Sequence, residues 1–312
     1  MKPNSAHGGD FWKARTDTGR QEIGTIWTQC GADSEYKTLR RVLLHKPGPE
    51  IEGIDRPEPV LWNALPDPKL AREQHEGLAQ KYRDFGIEVN YLQNTENAPP
   101  NLYFVRDLFV MTPEGAILTR LASAARAGEE KFAARTLANL GIPLVMSVHS
   151  DGIFEGADLE FVDESLVFIG IGIRTNESGA RQVATTLKDM GIDTVIFQTT
   201  YGCGHIDGVL SIIDRKKAVV YPTRLSYMAY SILKDRGFTI IDLPDMNEAE
   251  TTMAINMVPL APSCVLMPAG NTKMRRALEE HDVECHEVEV SELMKGGGSV
   301  HCMTGILQRD MG

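Results

Sequence analysis

Four short clusters hold an unusual share of the reactive side chains of this 312-residue chain. They are Asn101-Leu102-Tyr103-Phe104-Val105-Arg106-Asp107, Phe154-Glu155-Gly156-Ala157-Asp158, Tyr201-Gly202-Cys203-Gly204-His205-Ile206-Asp207-Gly208 and Gly296-Gly297-Gly298-Ser299-Val300-His301-Cys302-Met303-Thr304. Cys302 follows three glycines, a stretch with no side chains to block a ligand and a backbone that can approach one closely. The thiolate is the reactive form of cysteine, so Cys302 needs a nearby cation or hydrogen-bond donor. His205 can supply that and also move protons. Taken singly, Cys302 reads more readily as a small buried hydrophobe and His205 as a satisfied core imidazole. Glu155, Asp158 and Asp107 fall at strand ends, where a buried carboxylate needs a cationic partner or becomes protonated. A guanidinium is such a partner, planar and with a fork of N–H donors matched to carboxylates. Internal arginines would serve as well, and the motifs alone leave both readings open.

Cys203 and His205, Cys285 and His286, and His301 and Cys302 are close pairs that raise the question of zinc. None has the spacing of a structural zinc site. Neighbouring residues on a strand point to opposite faces, so the last two pairs chelate poorly. No metal site is expected.

The elements that must position these clusters repeat along the chain. A helix-like stretch ends at a glycine and a short apolar strand follows: Phe85-Gly86-Ile87, Leu140-Gly141-Ile142, Met190-Gly191-Ile192 and Arg236-Gly237-Phe238, with His281-Asp282-Val283 as a fifth instance. Glycine just past a helix end suits the left-handed C′ position. The instances recur roughly every 45 to 55 residues, a period of supersecondary units in an array. Strand pairs are expected between them, at Asp158–Val162 with Leu166–Ile171, Val209–Ile213 with Ala218–Tyr221, and Met253–Pro259 with Cys264–Met267. Each unit thus reads as strand, strand, helix, strand. Five such units can close into a ring with the clusters converging at one end; an open α/β sheet accounts for the same repeat. Residues 1–35 lie outside it and are expected to form an arm, with residues 36–312 as one catalytic domain.

A hydrophobic content of 42% and a charged content of 24% describe a globular chain. The formal net charge of −11 disfavours nucleic acid and anionic lipid and mildly attracts a cationic small molecule. The polar N-terminus lacks the apolar core of a signal peptide, and no run of about 18 apolar residues offers a membrane span. Five scattered cysteines suit reduced thiols in a cytosol. A homo-oligomer is left open.

The four clusters, in this order, resemble those of the guanidino-group modifying enzymes: arginine deiminase, dimethylarginine dimethylaminohydrolase, agmatine deiminase and the amidinotransferases. The resemblance runs from about Tyr36 to Gln308. It implies their fold, a five-bladed α/β propeller (pentein) of ββαβ units, and so favours the closed ring. It implies that Cys302 is the nucleophile, His205 the general acid and base, and Glu155 the acid that orients and charges that histidine. Asp107 is then the carboxylate gripping the guanidinium. Gly172-Ile173-Arg174-Thr175-Asn176 resembles a stretch whose arginine binds the substrate α-carboxylate, which points to Arg174. Arg126 lies about where a second such arginine is expected, with Arg120 as its competitor.

Within that group, Asp207 resembles the second guanidinium clamp of deiminases and amidinotransferases. Glu155 stands where amidinotransferases have Asp, which favours hydrolysis. Asp107 stands where arginine dihydrolases have Asn, which favours a deiminase outcome. Leu108 replaces the Pro usual in long arginine deiminases, and the chain is too short for their extra helical domain. The implied activity is hydrolysis of a C–N bond of arginine or a close relative through a covalent Cys302 thiouronium, with no metal or organic cofactor. The rivals are an amidinotransferase, a dimethylarginine dimethylaminohydrolase and a non-catalytic binder of arginine-like ligands. A binder has no need of the Cys302, His205 and Glu155 set.

Overall fold

The computed structural model describes residues 3–311, so the first two residues of the expected N-terminal arm and the last residue of the chain lie outside it. The left-handed positions proposed from the repeat organise the whole chain. Gly86, Gly141, Gly191 and Gly237 have φ of 71°, 72°, 81° and 76°, and Asp282 takes 55° in the fifth instance. Asp tolerates this region better than most side chains, which is why the helix Thr272–Glu279 can end without glycine.

Each of these turns connects a helix to the outer strand of a blade. The helices are Pro68–Asp84, Glu130–Asn139, Glu177–Asp189, Tyr227–Asp235 and Thr272–Glu279. They bury one face on the sheets through residues such as Leu78, Leu137, Leu187, Leu233 and Leu278, all fully buried. Truncating any of these to Ala costs about 2–5 kcal/mol.

Among the described residues the strands form five three-stranded sheets. Four are continuous in sequence: Phe109–Thr112, Gly115–Leu118 and Leu144–Ser147; Leu159–Asp163, Leu166–Ile171 and Asp193–Gln198; Leu210–Asp214, Lys217–Val220 and Thr239–Asp242; and Val258–Ala261, Cys264–Pro268 and Glu284–Val288. In each, the first two strands are antiparallel and the last two parallel. The fifth blade joins the two ends of the chain. Gly305–Arg309 pairs antiparallel with Leu39–Leu44, which runs parallel to Glu88–Tyr91. This is the five-bladed α/β propeller, and the open-sheet alternative is excluded.

The inner strands meet around the axis. Gly305–Arg309 touches Phe109–Thr112, and Leu210–Asp214 touches both Leu159–Asp163 and Val258–Ala261. Side chains satisfy the backbone groups that these short inner edges leave unpaired. Glu160 accepts the Ile212 N–H at 2.9 Å, Glu35 that of Phe161 at 3.1 Å, and Arg309 donates to the Pro259 carbonyl at 2.8 Å. Charged residues therefore occupy a buried axis because they stitch neighbouring blades.

One expected strand is shorter than the sequence suggested. The fourth blade begins at Val258, not Met253. Met253 has φ of 52°, and residues 253–257 form a turn closed by Asn256 N–H to Met253 O at 2.9 Å. Before the ring, Thr18 caps the short helix Gly19–Glu22, and Gly31 donates to Leu307 O at 3.1 Å. Among the described residues no helix is long and apolar enough to cross a membrane.

Candidate active site

The repeat places chemistry at one recurring position, just ahead of each inner strand. Single 3-10 turns there span Val105–Leu108, Gly156–Asp158 and Ile206–Gly208. They present Asp107, Glu155 with Asp158, and His205 with Asp207. The fourth unit presents the 253–257 turn, and the fifth presents residues 299–304 with Cys302.

Cys302, His205, Asp107, Arg126 and Arg174 line one cavity of about 100 Å³ together with Leu61, Phe104 and the three glycines 296–298. Asp207 lines an adjoining space of about 240 Å³, shared with His205, Gly297, Asn256 and Cys302. Glu155 lies fully buried behind His205. Arg120 is not among the lining residues; its guanidinium donates to Gly152 O at 3.0 Å. The glycine stretch is as much a packing requirement as an opening. A Cβ on Gly298 would sit 2.5 Å from the Phe104 ring, and Gly297 has φ of 91°.

His205 Nε2 lies 2.8 Å from Glu155 Oε2 and 4.0 Å from Asp107 Oδ1. Burial alone would lower its pKa. The Asp107 charge, the Glu155 hydrogen bond and the Asp158 charge prevail and raise it to about 10. His205 is therefore an imidazolium at neutral pH. Glu155 is held down to about 2 against the effect of burial, chiefly by the His205 hydrogen bond and charge. Its other oxygen accepts the Ala122 N–H at 3.0 Å, and Arg174 donates to Oε2 at 3.1 Å.

Asp107 Oδ2 takes Arg126 Nη1 at 2.5 Å, while Oδ1 is buried with no hydrogen-bond partner. Arg126 is fixed in turn by Glu129 at 2.8 and 3.0 Å. Asp207 accepts from His301 Nδ1 at 2.9 Å and does not cap its own turn, whose Gly208 N–H goes to His205 O. Burial, then the charges of Asp207 and Asp107, push the Cys302 thiol well above the ordinary value for cysteine.

Asn256 escaped the sequence reading. It is buried, with Nδ2 at 3.1 Å from Cys302 Sγ and Oδ1 at 2.9 Å from His301 N. Only its place ahead of an inner strand, matching the other four clusters, could have signalled it. Donor atoms of Asp107, Glu155 and His205 fall within 4.8 Å of one another, as do those of Cys264, Glu284 and His286 on the fourth blade. Either set is close enough to hold a metal ion, and Asp107 and His205 of the first line the cavity.

A buried carboxylate oxygen awaiting a donor, a thiol and an imidazolium on one cavity of a five-bladed α/β propeller define the class of guanidino-group modifying enzymes. Residues 66–308 match the family described as N,N dimethylarginine dimethylhydrolase, eukaryotic, and the chain belongs to that family. It is 26% identical over 249 residues to the N(G),N(G)-dimethylarginine dimethylaminohydrolase of Pseudomonas aeruginosa, covering 77% of this chain and 89% of that protein. It is 22% identical to the arginine deiminase of Oenococcus oeni, covering 89% of this chain and 97% of that one. A solved structure of the Pseudomonas aeruginosa dimethylarginine enzyme, a Cys-to-Ser variant complexed with citrulline, aligns with a TM-score of 0.72 and 22% identity, over 88% of this chain and 100% of that chain. The chain is a guanidino-group hydrolase.

Proposed function

We propose that this hydrolase cleaves a C–N bond of free arginine or a close relative, giving a ureido product and ammonia, through a covalent adduct on Cys302. The observation that carries the reading is the unpartnered Oδ1 of Asp107, buried in the wall shared by Cys302 and His205. A guanidinium N–H is the donor it lacks.

The substrate cation lies between Asp107 and Asp207 and offsets the two charges that disfavour the thiolate. Cys302 then loses its proton to solvent, and the sulfur adds to the guanidinium carbon. His205 donates its proton to the departing nitrogen, the C–N bond breaks and ammonia leaves. The product of this half is a thiouronium with a new C–S bond. His205, now neutral, takes a proton from water, whose oxygen attacks the same carbon. The C–S bond breaks, the thiolate returns, and the remaining hydroxyl proton passes to solvent as the carbonyl forms. Glu155 keeps His205 charged and aimed throughout.

Arg174, partly exposed at the cavity, reads the α-carboxylate. Arg126 has four of its five N–H donors engaged by Glu129, Asp107 and Phe104 O, so its first task is to orient Asp107. One donor remains for a substrate carboxylate.

The family match favours a second reading, hydrolysis of N-methylated arginine with release of a methylamine. Incubation with arginine, methylarginines, agmatine and guanidino acids, each with and without glycine or lysine as amine acceptor, separates these by product mass. A ureido product from arginine supports the proposal. Preference for dimethylarginine selects the second reading, and a new guanidino compound would identify a transferase. Cys302→Ser should abolish turnover while the protein stays folded, because a hydroxyl is not ionised near neutral pH. A covalent adduct trapped on another cysteine would remove Cys302 from its role.

A further inference from the structure

The fourth repeat places Asn256 where the other repeats place their reactive groups. The orientation of its amide follows from its neighbours. Oδ1 faces two backbone donors, His301 N at 2.9 Å and Cys302 N at 3.4 Å. Only the amide oxygen can accept them, since a flipped amide would set N–H against N–H. The NH₂ must therefore point at Cys302 Sγ, 3.1 Å away. Among the described residues no other side chain donates to that sulfur. Asn256 is 6% exposed, so its amide is held within the protein with its edge on the cavity beside Cys302.

We propose that Asn256 is a catalytic residue that donates its Nδ2–H to the Cys302 sulfur, stabilising the thiolate before attack and again as it departs from the thiouronium. This rests on the reading of Cys302 as the nucleophile. The donation complements the electrostatics of the site, where burial and two carboxylates oppose ionisation of the thiol while the Asn256 and Ser299 hydrogen bonds favour it. The substrate cation can offset the carboxylates only while bound. The amide is built into the fold and acts in both half-reactions. In sense it resembles an oxyanion hole, with sulfur in place of oxygen.

The competing role is mechanical: Oδ1 could simply pin the loop that carries Cys302. Asn256→Asp separates the two. A carboxylate oxygen still accepts both backbone N–H groups, but the atom now facing sulfur has no proton to give and adds negative charge. Asn256→Ala removes pin and donor together. The first readout is the rate of Cys302 alkylation by iodoacetamide at fixed pH without substrate, followed by peptide mass so that the other four cysteines do not interfere. A hydrogen bond to a charged group corresponds to about a ten- to hundredfold change in thiolate population. Asn256→Asp is expected to slow alkylation by about that factor, at least as much as Asn256→Ala, and to lower kcat similarly with little change in KM. Wild-type alkylation and kcat in Asn256→Asp would overturn the proposal and leave the loop pin. If Asn256→Asp does not fold, Asn256→Ala is read by the same labelling, and wild-type alkylation there removes the donor role. Alkylation needs no knowledge of the substrate. Turnover surviving Cys302→Ser would therefore defeat the nucleophile reading, while the Asn256 labelling would still report on the donor.

Discussion

Glu155→Gln tests the electrostatic core of the mechanism with almost no change in shape. In the wild type, Glu155 Oε1 accepts the Ala122 N–H and Oε2 faces His205 Nε2 at 2.8 Å. An amide has one acceptor and one donor end. If its oxygen stays on Ala122, its NH₂ meets the protonated His205 and Arg174 donor to donor; the reverse placement abandons Ala122. Removing an opposite charge at this range lowers a histidine pKa by about 1–3 pH units. His205, at about 10 in the wild type, would titrate closer to neutrality. The imidazolium that protonates the leaving nitrogen would then be scarce above neutral pH. The descending limb of the kcat profile should move down by the same about 1–3 units, and kcat at pH 8 should fall by up to about tenfold as the imidazolium population drops. The assay is the pH–rate profile for ureido product, with unfolding midpoints measured alongside. The raised His205 pKa stabilises the fold fully below its ordinary 6.5 and ceases to do so as pH rises through about 10. The lowered Glu155 pKa stabilises it above its ordinary 4.5, an effect lost as pH falls through about 2. Both contributions are complete between those ordinary values, so the variant's stability deficit should be largest there and shrink towards pH 10. A descending limb that coincides with the wild type, with kcat within about threefold, would refute the charge role of Glu155.

Asp207→Ala should damage arginine turnover severely and narrow the gap to asymmetric dimethylarginine, because a clamp needs the N–H groups that methylation removes; an unchanged kcat/KM ratio would assign Asp207 only to His301. Arg174→Ala should raise KM for amino-acid substrates far more than for agmatine, since a desolvated charge pair contributes about 2–4 kcal/mol. The Arg174–Glu155 contact adds a smaller kcat loss common to both substrates, and equal KM changes would show that Arg174 does not read the carboxylate. Arg126→Ala strands Asp107 and Glu129 as buried carboxylates and should cost about 3–5 kcal/mol in urea unfolding. Burial already lifts Glu129 to about 7 and Arg126 holds it there, so without Arg126 it rises further and that loss should ease as pH falls towards this value and Glu129 takes up a proton.

The sequence by itself determined the repeat. Left-handed positions at Gly86, Gly141, Gly191, Gly237 and Asp282 depend on backbone sterics within a few residues, so local spacing revealed them. The alternation of strand pairs and helices followed for the same reason, and the order of the reactive clusters along the chain pointed to the class of chemistry. Ring closure decided the rest, because it alone brings residues far apart in sequence within hydrogen-bond distance. Arg126 on Asp107 and Arg174 on Glu155 could not be told from free carboxylate ligands by sequence, since an arginine carries no mark of the acid it will meet. His301 and Asp207 are 94 residues apart and become partners only because the third and fifth units face each other across the axis. Asn256 sat unnoticed in a stretch whose apolar pattern reads as strand. The φ of 52° at Met253 breaks that strand and swings the amide onto the sulfur, and no local propensity encodes a contact whose other half lies 46 residues away.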